Sequence, residues 1–416
     1  MEKVCRRNIK SIYENIKLGF IITEDKRQIS VGGIKLTKQD KIAVNRVLDS
    51  NRLSYGPVSK KFECEFARIH NSKFAIFTNS GTSSLHIAVA ALKEKYGWED
   101  NDEIIVPAVT FVATSNVVLH NNLKPVFADV NPKTFNINPE EIEKHITPRT
   151  KAIIPVHLLG LPADMDQIMA IAKKYGLRVI EDSAETMFAQ YRGRVVGSFG
   201  DIGCFSTYVA HYIVTGVGGL NTTSDKDIAI RLRSLMNHGR DSIYISIDDD
   251  NTSDNKKFKE IISKRFSFIT LGHSFRATEM EAALGLSQLK RRKSIIKRRK
   301  EIAMRYIKGL SDLGEYLQLQ ETPKDRENVY MLFGIVYKGE AKTDLVNFLE
   351  DSGIETRDLL PLINQPAYVD IFGNIEDKYP VAKMLNRSGF YIGCHQYLSN
   401  DDVKYVIDKF HEFFRK

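Results

Sequence analysis

Between residues 30 and 225, short β-branched runs alternate with helical segments, and this alternation limits the fold more than any other feature of the chain. KFAIFT (73–78) runs into NSGTSSLHIAVAALKEKY. EIIVPA (103–108) precedes TFVATSNVVLHNN, and KPVFADV (124–130) precedes NPEEIEKHI. KAIIPVHL (151–158) precedes ADMDQIMAIAKKYG. LRVIEDSA (177–184), GDIGCFST (200–207) and GGLNTT (218–223) complete the series. Strand alternating with helix predicts an α/β fold with a mostly parallel sheet covered on both faces, and the strands are apolar enough to be buried.

Beyond this region the pattern changes. DIAIRLRSLMN reads as a helix, and DDDNTSDNKK (248–257) as an exposed polar loop. Helical segments follow from about 277 to 313. The remainder carries strand-like NVYMLFGIVYK and FYIGCH with helical DLVNFLEDSG and DDVKYVIDKFHEFF. We therefore expect a large domain over residues 1–270 and a smaller α+β domain over 271–416. The chain of 416 residues is long enough for both. Net charge is +8, and the densest basic run is KRRKSIIKRRK (290–300). It reads as a helix with one solvated face; no aromatic-interleaved basic motif supports a nucleic-acid partner. No apolar run reaches the length of a spanning helix, and the N-terminus does not read as a signal peptide, so a cytoplasmic protein without membrane attachment is expected. Cys5, Cys64, Cys204 and Cys394 are far apart, with neither CxxC nor metal-ligand spacing. No disulfide framework, metal site or iron–sulfur cluster is expected.

Four features carry possible chemistry. Ser80-Gly81-Thr82-Ser83-Ser84 lies between a strand and a helix, where free N–H groups and the helix dipole suit an anion, or where a hydroxyl simply caps the helix. Asp182 ends the apolar strand RVIED, at the edge where open α/β sheets bind ligands; a carboxylate there can hold a proton on a ring nitrogen or serve as a cap. Ser206 and His211 lie in FSTYVAHYIVTGVGGL, a frame that suits a tight loop between two strands. Its glycines let backbones approach closely, and the histidine is either a packed core residue or a base. Phe111, after the strand ending at Pro107, belongs to the core or stacks on a planar group.

Together these segments resemble the DegT, DnrJ, EryC1 and StrS family of sugar aminotransferases. ISVGGIKLT, LSYGPVSKKFECEFA, NSGTSSLHIA, VPAVTFVATSN, VIEDSAE, GSFGDIGCFST, VGGL and LGHSFRATEMEAALGLSQL match in order across nearly the whole chain. The resemblance implies the aspartate-aminotransferase fold (fold type I) and a pyridoxal or pyridoxamine phosphate cofactor. Gly81, Thr82, Ser83 and Ser206 would hold its phosphate, Phe111 would stack on its ring, and Asp182 would pair with its ring nitrogen. Ser274 falls where an asparagine usually reaches the neighbouring subunit's phosphate. Glu185 falls where aminotransferases usually carry a glutamine, and an acid there is similar to a dehydratase branch. A homodimer is implied.

His211 is the departure. It occupies the position of the family's Schiff-base lysine, and imidazole cannot form a stable imine. It can still move a proton near neutrality. This exchange resembles the 3-dehydratases of nucleotide-linked 4-keto-6-deoxyhexoses, and implies a noncovalent cofactor with His211 as catalytic base. The loop after His238-Gly239-Arg240 lacks the clustered cysteines of the iron–sulfur type, so the resemblance favours the hydrolytic type, with glutamate as amino donor. The alternatives are a nucleotide-sugar aminotransferase and a noncatalytic binding protein.

Overall fold

The computed structural model describes residues 27–241, 255–264 and 266–415. Its centre is a seven-stranded sheet built from β1 (Phe74–Thr78), β2 (Glu103–Pro107), β3 (Lys124–Ala128), β4 (Thr150–Ile153), β5 (Arg178–Asp182), β8 (Ile202–Ser206) and β9 (Gly219–Thr223), in the order β1-β9-β8-β5-β4-β2-β3. A short hairpin, β6 (Gln190–Tyr191) and β7 (Arg194–Val195), stands apart. β2, β3, β4, β5 and β8 pair in parallel. β9 is antiparallel to both its neighbours.

The strand sequences explain their depth. FAIFT, EIIVP and IGCFS are buried along almost their whole length, as a sheet covered on both faces requires. Helix Gly81–Tyr96 packs on one face through Leu85, Ile87, Ala88 and Leu92. Helix Met165–Tyr175 covers the other with Met165, Ile168 and Ala172, against Ile105, Ile153 and Val179. Both helices stop at a left-handed glycine, Gly97 and Gly176.

A second, four-stranded antiparallel sheet comprises β10 (Leu317–Leu319), β11 (Leu332–Tyr337), β12 (Thr356–Asp358) and β13 (Gly389–Gly393), ordered β10-β11-β13-β12. Helices Arg292–Gly309, Lys342–Asp351 and Asn400–Phe414 pack on it around Tyr306, Phe333, Leu345, Phe390 and Phe410. Of the expected polar loop 248–257, residues 248–254 lie outside the described residues, as does Cys5. Asn255 already begins helix Asn255–Lys264. Most of the run 290–300 lies on helix Arg292–Gly309 with one face toward solvent, and its inner face buries Arg299 as well as Ile295. Among the described residues, no helix is long and apolar enough to cross a membrane.

One buried carboxylate fixes how the early helices meet the rest. Helix Pro57–Ile69 has no side-chain cap of its own. The Glu279 carboxylate, in the first turn of helix Glu279–Leu289, takes that part: it accepts from the backbone N–H of Gly56 (2.9 Å), Val58 (2.9 Å) and Ser59 (2.7 Å). An anion at a helix N-terminus satisfies otherwise orphaned donors and meets the positive end of the dipole. Glu279→Gln leaves one of these donors facing an amide and removes the charge. The expected loss is about 1–3 kcal/mol, read from urea unfolding; a variant as stable as the parent would show the contact to be dispensable.

Candidate active site

The sheet topology decides where the chemistry gathers. The parallel strands present their C-terminal ends on one edge, and Asp182, Ser206 and the turns after β1 and β2 all lie there. Because β9 runs antiparallel to β8, residues 207–218 return the chain by a short loop rather than a crossover. That loop keeps His211 at the same edge. It closes on itself through Thr207 N–H to Gly218 O (2.9 Å), Thr215 N–H to Thr207 O (2.9 Å), and the paired Thr207 and Thr215 hydroxyls (2.6 Å). Gly218 has φ +154°, and a Cβ there would meet Thr207 Oγ1 at 2.4 Å, so only glycine fits.

A cleft of about 370 Å³ opens at this edge between the two sheets. It is lined by Gly81, Thr82, Phe111, Asp182, Glu185, Ser206 and His211 among others, with Leu332 and Tyr391 from the smaller sheet and Met331 from the segment entering it. Seven of the nine residues expected at the site from the sequence therefore meet in one cavity. Ser83 is not among the lining residues. Its hydroxyl donates to Asn79 Oδ1 (2.7 Å) and its N–H to the Ser80 hydroxyl (3.0 Å), so Ser80 caps the helix while Gly81 and Thr82 face the cleft. Ser274 is exposed and outside this chain's cleft, beside Arg276.

Each polar group has a defined setting. Asp182 Oδ2 accepts from the Thr114 hydroxyl (2.8 Å), which is itself paired with Thr110 (2.8 Å), and Oδ1 accepts from Ala184 N–H (3.1 Å). No lysine or arginine pairs with it among the described residues, and burial raises its pKa against those hydrogen bonds. Glu185 accepts from Leu159 N–H (2.8 Å); burial pushes its carboxyl up to about 7, with the Asp182 charge adding to the shift. Burial lowers the His211 imidazole to about 4, opposed by a backbone hydrogen bond at Ala184 and assisted by the charge of Arg299. Its Nδ1 is buried without a partner. The lining residues include no lysine.

Sequence reading missed several contributors. Thr114 sits on a helix whose residues looked like ordinary core. Tyr391 lies far along the chain in the run FYIGCH, which reads as a strand without showing that it reaches the cleft. Arg299 had a signal: with Ile295, Ile302 and Tyr306 it falls on one helical stripe.

A profile of the DegT/DnrJ/EryC1/StrS aminotransferase family matches residues 35–411. The chain belongs to this family. GDP-perosamine synthase of Escherichia coli O157:H7 is 34% identical over 382 residues, covering 91% of this chain and 96% of that protein. GDP-4-keto-6-deoxy-D-mannose 3-dehydratase of Yersinia pseudotuberculosis is 30% identical over 370 residues, covering 87% and 93%. Among solved structures, the E. coli GDP-4-keto-6-deoxy-D-mannose-3-dehydratase with bound hydrated PLP superposes with a TM-score of 0.84 at 28% identity, over 92% of this chain and all of that one. The architecture is thus that of PLP-dependent aminotransferases, and the family is one of PLP-dependent sugar-modifying enzymes that includes both aminotransferases and 3-dehydratases.

The cleft fits the family cofactor on three observations. The helix N-terminus at Gly81 approaches Ser206 so closely that a Cβ on Gly81 would lie 2.7 Å from Ser206 Cβ, which leaves a narrow cradle of N–H and hydroxyl donors. Asp182 is a buried carboxylate that no lysine or arginine pairs with among the described residues. His211 Nδ1 is a buried nitrogen without a partner.

The imidazole makes a prediction about pH. The unfolded chain takes up this proton near 6.5 and the folded chain only near 4, so between those values the unfolded state binds more protons. The stability His211 contributes is complete above 6.5 and is lost as the pH falls through 4. Urea unfolding at stepped pH should show a shallower acid decline for His211→Asn than for the parent; identical slopes would mean that the ring protonates freely in the folded protein.

Proposed function

We propose that the protein is a nucleotide-sugar 3-dehydratase acting on a nucleotide-linked 4-keto-6-deoxyhexose, with pyridoxamine phosphate held noncovalently. The observation that carries this reading is His211, buried at the cleft with an unpartnered nitrogen, in a cavity lined by no lysine. Such a cavity offers a proton-moving base but no amine to capture an aldehyde.

The residues divide the work as follows. Gly81, Thr82 and Ser206 cradle the phosphate through helix N–H groups and hydroxyls. Phe111, 57% exposed at the cleft mouth, supplies a stacking face. Asp182 holds a proton on the ring nitrogen. Glu185 stands beside the cleft as a carboxyl that keeps its proton up to about 7 and so can donate a hydrogen bond. The cofactor, when bound, supplies an amine for the substrate's C4 and a ring that accepts electrons. His211 removes the proton at the cofactor's C4′ and is placed to return it to the departing C3 hydroxyl; a neutral imidazole is the form that can accept it. Overall, C3 is reduced from CHOH to CH₂ while glutamate is oxidised to 2-oxoglutarate with release of ammonia, so no external reductase is needed.

A homodimer belongs to the same reading. Phe111 and Tyr208 (53% exposed) rim the cleft, while Ser274 is exposed outside it, an arrangement suited to a second copy covering the first. The competing reading is amino transfer, favoured by the identity with GDP-perosamine synthase.

Incubation with pyridoxamine phosphate, glutamate and GDP-, CDP- or dTDP-4-keto-6-deoxyhexoses, followed by mass spectrometry, separates the two. The expected product has lost the C3 oxygen, and His211→Asn retains cofactor binding but loses about 100-fold or more in turnover. An amino sugar with its C3 hydroxyl intact would sink the dehydratase reading. So would borohydride trapping of pyridoxal phosphate on a cleft lysine.

A further inference from the structure

Arg299 lies on helix Arg292–Gly309 at 1% exposure, and no carboxylate pairs with it among the described residues. Neutral oxygens hold its guanidinium instead. Nε–H donates to Gln396 Oε1 (2.9 Å). Nη1 donates to Met331 O (2.7 Å), with longer contacts to Tyr330 O and Cys394 O (both 3.4 Å). Nη2 donates to His211 O (3.3 Å), and the guanidinium carbon lies 4.7 Å from the centre of the Tyr212 ring. Tyr212 in turn donates its hydroxyl to Glu185 O (3.0 Å).

A buried cation without an anion carries a desolvation penalty that a methionine or leucine of similar volume would avoid. What an apolar side chain cannot do is join these groups. The acceptors belong to the segment entering β11, the segment leaving β13, and the 207–218 loop. Arg299 is thus a direct tie between the smaller sheet and the residue read above as the base.

We propose that Arg299 is the positioning residue for His211: by fixing the His211 carbonyl and the Tyr212 ring against the smaller sheet, it sets where the imidazole points in the cleft. This rests on the reading of His211 as base. Nδ1 of the imidazole has no partner, and beside the backbone hydrogen bond at Ala184 the direction of the ring follows its own backbone, which is held through His211 N–H to Tyr208 O (2.9 Å) at one end and Arg299 at the other. The titratable groups that share the cleft with the ring are Asp182 and Glu185 from the β5 side, Tyr391 from β13 and Tyr208 from its own loop, and Arg299 acts on it from the helix. The nearby guanidinium charge disfavours the imidazolium, in addition to burial, and keeps the base in its accepting form.

The test uses full-length protein labelled with ring-¹⁵N histidine, the His211 signals being assigned by their loss in His211→Asn. In Arg299→Met the charge and the tie both go, and the His211 titration midpoint should rise. In Arg299→Lys the charge stays and the planar fork goes; the midpoint should hold while kcat falls about tenfold at a KM within about twofold of the parent. Parental kcat in Arg299→Lys, or an unmoved midpoint in folded Arg299→Met, would overturn the proposal. If Arg299→Met does not fold, Gln396→Ala and Tyr212→Leu each release one side of the guanidinium, and parental His211 spectra and kcat in both would overturn it equally. The spectra need no turnover. Full turnover by His211→Asn would therefore refute the base while leaving the tie to be judged on the spectra alone.

Discussion

The alternation of side chains at the end of β5 is the constraint on which the site depends. Successive residues of a strand point to opposite faces, so Glu181 and Asp182 cannot serve the same side. Glu181, fully buried, accepts from the N–H groups of Gly197 (2.7 Å), Phe199 (2.6 Å) and Gly200 (2.7 Å) and from His157 Nε2 (3.2 Å). His157 is held in that tautomer because its Nδ1 accepts from Ala163 N–H (3.0 Å). One carboxylate thus fixes the turn that leads into β8 and the segment that follows β4. With Glu181 saturated on one face, Asp182 is presented on the other, to the cleft. A one-residue slip would exchange the two and leave both networks unsatisfied.

β9 supplies the second half of the frame. Six strands in one direction would carry the chain away from the C-terminal edge after β8. The reversed seventh strand returns it within a short loop, and Ser206, His211 and Gly218 stay together on one side of the sheet. Val214 is held from outside the loop as well, its N–H donating to Gln288 Oε1 (3.0 Å) on helix Glu279–Leu289. The catalytic edge is therefore built by the large sheet and braced by helices that lead toward the smaller one.

Much of this was legible in the sequence, for identifiable reasons. Strands such as EIIVP and IGCFS are apolar throughout because both faces are covered, and their spacing gave the parallel sheet. Asp182 is expected at the ligand edge because it ends a strand of such a sheet, Ser206 is expected there from the family resemblance, and both line the cleft. The direction of β9 was not read, since a strand's own residues carry no sign of its partner's orientation. The motif alone also does not show which of its hydroxyls faces the cleft. Ser80, Ser83 and Asn79 form a local cap whose geometry depends on which hydroxyl faces the helix N-terminus. Arg299 was concealed by its neighbours: in a run of lysines and arginines, the single buried cation is revealed only by its place on the apolar stripe.

The charges in the cleft lead to one further step. Asp182 and Glu185 are both buried, but they are not equivalent. Asp182 receives a hydroxyl and an N–H donor, whereas the one N–H donor that reaches Glu185 comes from Leu159, and Glu185 feels the Asp182 charge besides. Two carboxyls whose surroundings push their pKa values apart take different protonation states, so near neutrality Glu185 tends to keep its proton and Asp182 is the better-stabilised anion. The imidazole beside them is neutral, with Arg299 turned away toward carbonyls. The cleft thus sets an imidazole held low by burial beside two buried carboxyls of unequal stabilisation, both raised by burial.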